Sequence, residues 1–409
     1  MSLFWTGDTL LRLGRPQDAL EYLLEALEMS RSLDKEDNIE RATYLDEIAR
    51  AFLWLNRGEE AFKYSKEALD IFRRIYKGDN VLIEMTLYNI GGILLSLDRP
   101  QEALNHYQEA FEMNKRLSKE DNEDQAIYSH QIGRILMMLG RPQEALNYFQ
   151  QALAIRKKLY QDDHYDLSQS LMSIGATLEQ LGRTEESVKY LIEALEMEKR
   201  INQGEDPMVA TIMKNIGASL HKLEKYENAY DYFKQALEIQ QRLYPEGHLE
   251  IANTLSGMSS VQYSLGRLQE AYDSVQQALE IKKKIIQGPH PILASDLSMM
   301  GVALIGLEKY EAVLEYVKQS NEMKLKLYPK DHIEIAHALS KFGQVYLFQK
   351  RFSEAKESLK QSFDIYIKHI SIDHPIDHPI VQAVVDQLIE TLEQLGEADE
   401  ANKYRNYKK

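Results

Sequence analysis

The chain has 409 residues, a formal net charge of −15 at pH 7 and no cysteine. The lack of cysteine excludes disulfides, thiolate catalysis and a zinc ribbon, and it fits a reducing compartment such as the cytoplasm. The acidic charge argues against a nucleic-acid partner, which would require a basic face for phosphates. No signal peptide and no apolar run long enough to span a bilayer is present, so we expect no membrane insertion.

The chain begins with Met1-Ser2-Leu3-Phe4-Trp5, a stretch of helical character that carries large apolar side chains. A stack of repeats needs a polar cap at its ends, and this start is a poor cap. We therefore expect the chain to be a fragment of a longer protein. The alternatives are that Phe4 and Trp5 fold back onto the first repeat, or that this end mediates self-association.

A 42-residue period runs through nearly the whole chain. It is marked by Leu13, Leu55, Leu97, Leu139, Leu181, Leu223, Leu265 and Leu307. A strict period of this length predicts stacked units whose function lies in a surface shared by several repeats. We predict about nine full repeats and a partial tenth, forming a single domain over residues 1–409.

Each repeat is predicted to contain two helices, A and B, joined by a short turn. A small residue recurs inside helix A, as at Gly91 and Gly133. Glycine inside a helix costs roughly 1 kcal/mol relative to alanine, so its recurrence predicts a second helix packed very close. The turn Leu139-Gly140-Arg141-Pro142 offers a glycine to end helix A and a proline to begin helix B. Alanines such as Ala145 and Ala152 then recur on one face of helix B.

This order of residues resembles the tetratricopeptide repeat (TPR), lengthened from its usual 34 residues. The stretches Ala152 to Tyr160 and Gly288 to Pro291 are similar to the long repeats of the kinesin light chain and nephrocystin type. The resemblance implies an all-α, right-handed superhelical solenoid of helix-turn-helix hairpins. It also implies that the A helices line a concave groove that binds partners in adaptors, scaffolds and sensor arms.

The connectors between repeats place a polar residue before each A helix. It is Asn38, Asn80, Asn122, His164, Asp206, His248, His290 or His332. Asn and Asp cap helix N-termini, and because His shares the position, we predict a capping role rather than a metal site. At residues 372–379 the connector Ile-Asp-His-Pro is duplicated, and we interpret the four added residues as a longer loop.

No nucleotide-binding, metalloprotease, serine-hydrolase or EF-hand motif is present. We therefore predict a protein that is not an enzyme and that has no catalytic residue, no cofactor and no metal. The acidic residues are spread over helix faces where charges are normally solvated.

The A-helix positions that would face the groove carry few acids. Positions 43, 46, 47, 50, 53 and 54, with their equivalents at every 42 residues through the ninth repeat, contain three acids and five Lys or Arg. Such a groove inside an acidic chain favours an acidic or neutral extended peptide. The alternative is that the A helices are simply less charged throughout.

The predicted binding residues are Tyr88, Asn89, His130, Arg134, Met172, Lys214, Asn215 and His221. The resemblance implies that Asn89 and Asn215 hold the backbone of a bound peptide. His130 would add pH sensitivity. The later groove is rich in small polar residues, such as Ser295 and Ser340, and it either admits a bulky chain or is unused.

These patterns predict a cytoplasmic, non-enzymatic scaffold or adaptor that binds a protein or peptide segment in the groove. A second hypothesis is a sensor or regulatory arm of a larger multidomain signalling protein. A third hypothesis is a structural spacer that self-associates through its N-terminal end.

Overall fold

The computed structural model describes residues 2–33, 36–202, 206–369 and 379–407. These residues form twenty α-helices, and no strand occurs among them. The chain divides into two compact units, Met1–Gly204 and Glu205–Lys409. The single domain over residues 1–409 stays a prediction.

In the first unit, shorter A helices alternate with longer B helices. The A helices are α1 (Ser2–Arg12), α3 (Ile39–Trp54), α5 (Val81–Ser96), α7 (Glu123–Met138) and α9 (Tyr165–Gln180). The B helices are α2 (Pro16–Leu33), α4 (Gly58–Ile75), α6 (Pro100–Leu117), α8 (Pro142–Leu159) and α10 (Thr184–Asn202).

The second unit repeats this alternation. Its A helices are α11 (Pro207–Lys222), α13 (Leu249–Ser264), α15 (Pro291–Gly306), α17 (Ile333–Phe348) and α19 (Pro379–Gln394). Its B helices are α12 (Tyr226–Leu243), α14 (Leu268–Ile285), α16 (Tyr310–Leu327), α18 (Phe352–His369) and α20 (Ala398–Tyr407). In both units each A helix packs against the following B helix, and that B helix packs against the next A helix. The predicted all-α architecture of consecutive hairpins is therefore confirmed.

The turn between helices A and B places one residue in the left-handed conformation. Glycine holds this position at Gly14, Gly140, Gly182 and Gly266, with φ of 71°, 70°, 73° and 73°. At Gly140 the helix ends as predicted, because the N–H of Arg141 donates to the carbonyl of Leu136 over 2.8 Å. Five other hairpins place Asn56, Asp98, Glu224, Glu308 and Lys350 there, with φ between 55° and 59°. A residue with a Cβ atom costs about 1 kcal/mol in this conformation, so these turns carry local strain.

The connector residues cap the A helices, as predicted. In each of these connectors the side chain of the capping residue accepts a hydrogen bond from a backbone N–H two or three residues later. The capping residues are Asn38, Asn80, Asn122, His164, Asp206, His248, His290 and His332. The histidines accept through Nδ1, and His164 also stacks on Tyr160 with ring centroids 3.7 Å apart. Capping therefore accounts for the exchange of Asn, Asp and His at this position.

The duplicated connector lies outside the described residues except for Pro379, which begins α19. After Lys350 the next left-handed turn residue is Gly396, with φ of 75°. That spacing is four residues longer than the regular period, which agrees with an insertion of four residues between these turns.

Small residues in the A helices allow the B helices to approach closely. A Cβ atom on Gly133 would lie 2.7 Å from the ring of Phe149 in α8. One on Gly217 would lie 2.9 Å from the ring of Phe233 in α12. Both distances are well inside van der Waals contact, so the close approach predicted from the recurring glycines is confirmed.

Gly91 and Gly92 in α5 provide a matched test of this packing. A Cβ atom on Gly91 would lie 2.6 Å from the ring of Tyr107, whereas one on Gly92 would lie 3.6 Å from the Tyr107 hydroxyl. We expect Gly91→Ala to lower the free energy of unfolding by about 1–3 kcal/mol through overpacking. We expect Gly92→Ala to raise it by up to about 1 kcal/mol, because alanine favours the helix. Denaturant unfolding measures both values, and effects of the same sign would contradict the packing argument.

Candidate functional site

Side chains of successive A helices contact one another within each unit. In the first unit Arg50 Nη2 lies 2.9 Å from Asp8 Oδ1, which joins α3 to α1. In the second unit His221 Nε2 lies 2.9 Å from Ser264 Oγ, which joins α11 to α13. Each unit therefore has a continuous surface formed by its A helices, which we call its A-helix face.

The beginning of the first A-helix face is acidic. Asp46 accepts hydrogen bonds from Ser65 Oγ at 3.1 Å and from Asn89 Nδ2 at 3.0 Å. Burial raises the pKa of Asp46, although these two hydrogen bonds oppose the shift. Asn89, predicted to hold a peptide backbone, thus already donates to a carboxylate. A bound peptide would have to displace this hydrogen bond.

Glu47 lies beside Asp46 and pairs with Arg50. Burial raises the pKa of Glu47 to about 7, the positive charges of Arg50 and Arg12 lower it, and the negative charges of Asp8 and Asp46 add to the rise. The charge of this part of the face therefore changes close to neutral pH.

Tyr88, another predicted binding residue, is half-buried in a cluster of aromatic rings on the first unit. Its ring centroid lies 5.2 Å from that of Tyr107 and 5.4 Å from that of Tyr128. Tyr128 in turn donates to the buried carboxylate of Glu84 over 2.6 Å. These contacts hold the Tyr88 ring between helices, so its main contribution is to packing.

His130 and Arg134 come together in a surface depression of about 380 Å³, the Arg134 depression. Its other lining residues are Ile127, Gln131, Arg156, Asp166, Gln169 and Ser173. Arg134 is exposed and donates to Gln131 Oε1 over 3.1 Å. Met172 is half-buried on α9 and does not line the depression, although its neighbour Ser173 does.

The pH sensitivity predicted for His130 is wrong near neutral pH. The ring is buried at 5% exposure and packs against Phe149 with centroids 5.2 Å apart. Burial lowers the pKa of His130 to about 4, and the positive charges of Arg156 and Arg134 add to the decrease. The imidazole is therefore neutral from about pH 5 upward, which the sequence pattern alone does not reveal.

The second unit carries the other three predicted residues on α11. Lys214 forms an ion pair with Glu250, so its charge is already compensated. His221 bonds Ser264, and burial lowers its pKa. Asn215 is half-buried, and no hydrogen bond to it occurs within the part of the chain that the structure describes. Of the three residues, Asn215 is therefore the one whose side-chain polar groups are available to a ligand.

The sequence reasoning did not select a larger depression of about 860 Å³ on the second unit. It lies between α15, α17 and α19, and Lys341 lines it together with Ser295 and Ser340. We call it the Lys341 depression. The serine-rich stretch is apparent in the sequence, but nothing there distinguishes Lys341 from other charged A-helix residues.

A second feature missed by the sequence reasoning is a polar position buried in helix B. Arg156 Nη1 donates to the Asp166 carbonyl at 2.8 Å and to Ser170 Oγ at 2.7 Å. Lys282 Nζ pairs with Asp296 Oδ2 at 2.8 Å, and both side chains are 2% exposed. These bonds join each B helix to the next A helix. The signal in the sequence is a polar residue recurring every 42 positions on an apolar face.

These observations define an all-α protein of stacked helical hairpins. The tetratricopeptide repeat model matches residues 2–33, 39–116, 124–200, 208–284 and 335–376. The chain therefore belongs to the tetratricopeptide repeat family. No curated protein gives a significant match to the sequence. No helix in the described ranges is both long and apolar enough to cross a bilayer.

Solved structures share this fold at low sequence identity. The apo form of RapI is 15% identical, with 91% of this chain and 99% of RapI covered and a TM-score of 0.68. A Rap protein complexed with competence and sporulation factor is 17% identical, with 90% and 97% covered and a TM-score of 0.51. The TPR-like repeats of a candidate kinesin light chain from Podospora anserina are 18% identical, with 49% and 95% covered and a TM-score of 0.43.

The pKa of Glu47 gives a testable dependence of stability on pH. Because the folded chain holds a proton on Glu47 that the unfolded chain releases near pH 4.5, this residue contributes stability below that pH. The contribution is lost as the pH rises to about 7. We expect Glu47→Gln to melt close to the parent at pH 4.5 and a few degrees above it at pH 8.

The control for this prediction is Glu144→Gln, since a hydrogen bond from Arg141 lowers the pKa of Glu144. Its stabilising contribution is present above the unfolded pKa of 4.5 and is lost only in more acidic solution, so the difference between Glu144→Gln and the parent should stay nearly constant between pH 4.5 and 8. Thermal unfolding of the three chains between pH 4.5 and 8 measures the differences. A Glu47→Gln curve parallel to the parent would refute the raised pKa.

Proposed function

We propose that the protein is a non-enzymatic, cytoplasmic scaffold or adaptor that binds an extended, acidic or neutral partner segment on its A-helix face. The observation that carries this proposal is Arg134, an exposed cation on that face of a chain with a net charge of −15. Among the described residues, no carboxylate forms an ion pair with it. An acidic group on a partner is therefore its natural counter-ion.

The Arg134 depression supports this proposal through its other groups. Arg156 lies at the base with 4% exposure and keeps its guanidinium bonded to Ser170 and to the Asp166 carbonyl. Gln169 and Ser173 add neutral polar groups to the lining. A short stretch of peptide would meet one available cation and several hydrogen-bonding groups, which suits side-chain recognition.

The eight predicted binding residues do not contribute equally to this proposal. Arg134 and Asn215 present groups that a partner can use directly. Asn89 and Lys214 are engaged by Asp46 and Glu250, so a partner must compete with an existing contact at each. Binding within the first unit therefore depends most on Arg134.

The Rap protein solved with competence and sporulation factor shares the fold. At 17% identity this likeness supports the proposal only at the level of the fold. The reading as a sensor or regulatory arm stays a second hypothesis with the same structural basis.

The test is a fluorescence-polarisation screen of acidic, neutral and basic peptides against the intact chain and Arg134→Glu. We expect acidic peptides to bind the parent and to lose on the order of tenfold in affinity with Arg134→Glu, because attraction becomes repulsion. The loss should shrink at higher salt, since Arg134 is exposed.

The matched control is Lys66→Glu, which makes the same charge change at an exposed position on the B helix α4. It should leave the peptide affinity unchanged. If both variants weaken binding equally, net charge rather than the A-helix face governs the interaction. If no peptide binds the parent, the proposal fails.

A further inference from the structure

The Lys341 depression is large enough to hold a ligand. Its volume of about 860 Å³ falls within the range of ligand sites in proteins. Its walls come from three successive A helices, and the ends of α16 and α18 contribute Tyr328 and Tyr366.

Lys341 is the unusual group in this depression. Its Nζ donates to Gln344 Oε1 over 3.4 Å, and no carboxylate among the described residues lies within ion-pair distance. Burial lowers the pKa of the Lys341 ammonium. A lysine that has lost hydration without gaining a counter-ion is costly, so an anion that enters the depression gains more from it than from an exposed lysine.

The charges around Lys341 determine the kind of anion. Lys324 Nζ pairs with Glu334 Oε2 at 2.9 Å, so these two charges compensate each other. His337 Nδ1 lies 3.8 Å from the other oxygen of Glu334. Lys341 thus leaves one uncompensated positive charge. A carboxylate matches that single charge, whereas a doubly charged phosphate would exceed it.

Apart from Gln387, the remaining lining is apolar or small. Ile292 and Ile380 are exposed on the rim, and Tyr366 is buried at 1% exposure. Ser295, Ser298 and Ser340 add small side chains to the lining. A ligand with an apolar body next to its charge would cover Ile292, Ile380 and Tyr328 while its anion reaches the lysine.

We propose that the Lys341 depression binds a carboxylate carried next to an apolar group, with Lys341 Nζ as its ion partner. The carboxylate belongs to an acidic residue of a partner segment or to a small organic acid. The first source rests on the proposed function, since it adds a specific recognition point to the A-helix face of the second unit. The second source stands without it.

Two probes distinguish these sources on the intact chain. A random heptapeptide library, acetylated and amidated at its ends, is selected against the parent and against Lys341→Met. In parallel, 4-phenylbutyrate and its uncharged amide are titrated by thermal shift. We expect enrichment of Asp or Glu beside a large apolar residue, or binding of the acid over its amide. Lys341→Met should weaken either one about tenfold or more.

Two further variants keep the test independent of folding. Lys318→Met removes a charge at an exposed position on α16 and should leave binding intact. Ala383→Glu places a carboxylate on an exposed residue of the lining, where it should compete with the ligand for Lys341. Ala383→Gln introduces a side chain of the same shape without the charge, and it should not weaken ligand binding. Lys341→Met itself should melt no lower than the parent, because it removes a half-buried charge that has no counter-ion.

The proposal is overturned if neither probe binds, if the amide binds as well as the acid, or if Lys341→Met binds like the parent. Its failure is distinct from that of the proposed function, because Arg134→Glu acts in the first unit. Loss of acidic-peptide binding in Lys341→Met but not in Arg134→Glu would support this site and reject the Arg134 depression.

Discussion

Each hairpin depends on the distance at which its two helices cross. In α5 and α7 a glycine faces a large ring sixteen residues later, Tyr107 opposite Gly91 and Phe149 opposite Gly133. In the second hairpin the A-helix residue is Ala49 and the equivalent B-helix residue is the small Ser65, both buried. The combined volume of the two side chains at the crossing is thus limited, and how it is divided between helix A and helix B varies from hairpin to hairpin. Close crossing fixes the A helix against the B helix and leaves its opposite side for the surface.

Charged side chains on or near this surface differ widely in how their desolvation is compensated. Lys282 is buried with Asp296, and the pair is further bonded through Ser256. Such a pair joins neighbouring hairpins, because removing either partner would leave the other charge buried and alone. Lys341 is half-buried, and no carboxylate among the described residues lies within ion-pair distance of it. The Lys282–Asp296 pair stabilises the packing of the hairpins. The dehydration of Lys341 costs free energy, and no ion pair within the described residues offsets it.

The sequence predicted well the features that depend on one repeat alone. The period, the hairpins, the left-handed glycines and the helix caps follow from local backbone chemistry and helical spacing. The partners of Asn89 and Lys214 did not follow, because Asp46 and Glu250 belong to neighbouring hairpins. Those contacts depend on how successive A helices pack, which no local pattern specifies.

Burial was the other quantity that the sequence did not provide. His130 and Arg134 lie four residues apart on the same helix, yet one is buried and neutral and the other is exposed and charged. Helical spacing placed both on the A-helix face, and the correct assignment of His130 required the position of Phe149. Pattern therefore selects the face, while the three-dimensional packing decides which of its residues can interact with a partner.

Arg134 and Lys341 show why the location of a charge matters more than the net charge of this chain. The Arg134 guanidinium is exposed and keeps most of its hydration, so its attraction for an anion is screened by salt and acts mainly on the rate of encounter. The Lys341 ammonium is partly dehydrated, so a counter-ion there is screened less and acts mainly on the lifetime of the complex. A chain with a net charge of −15 can therefore select an acidic ligand, provided that its few accessible cations lie where acids are scarce.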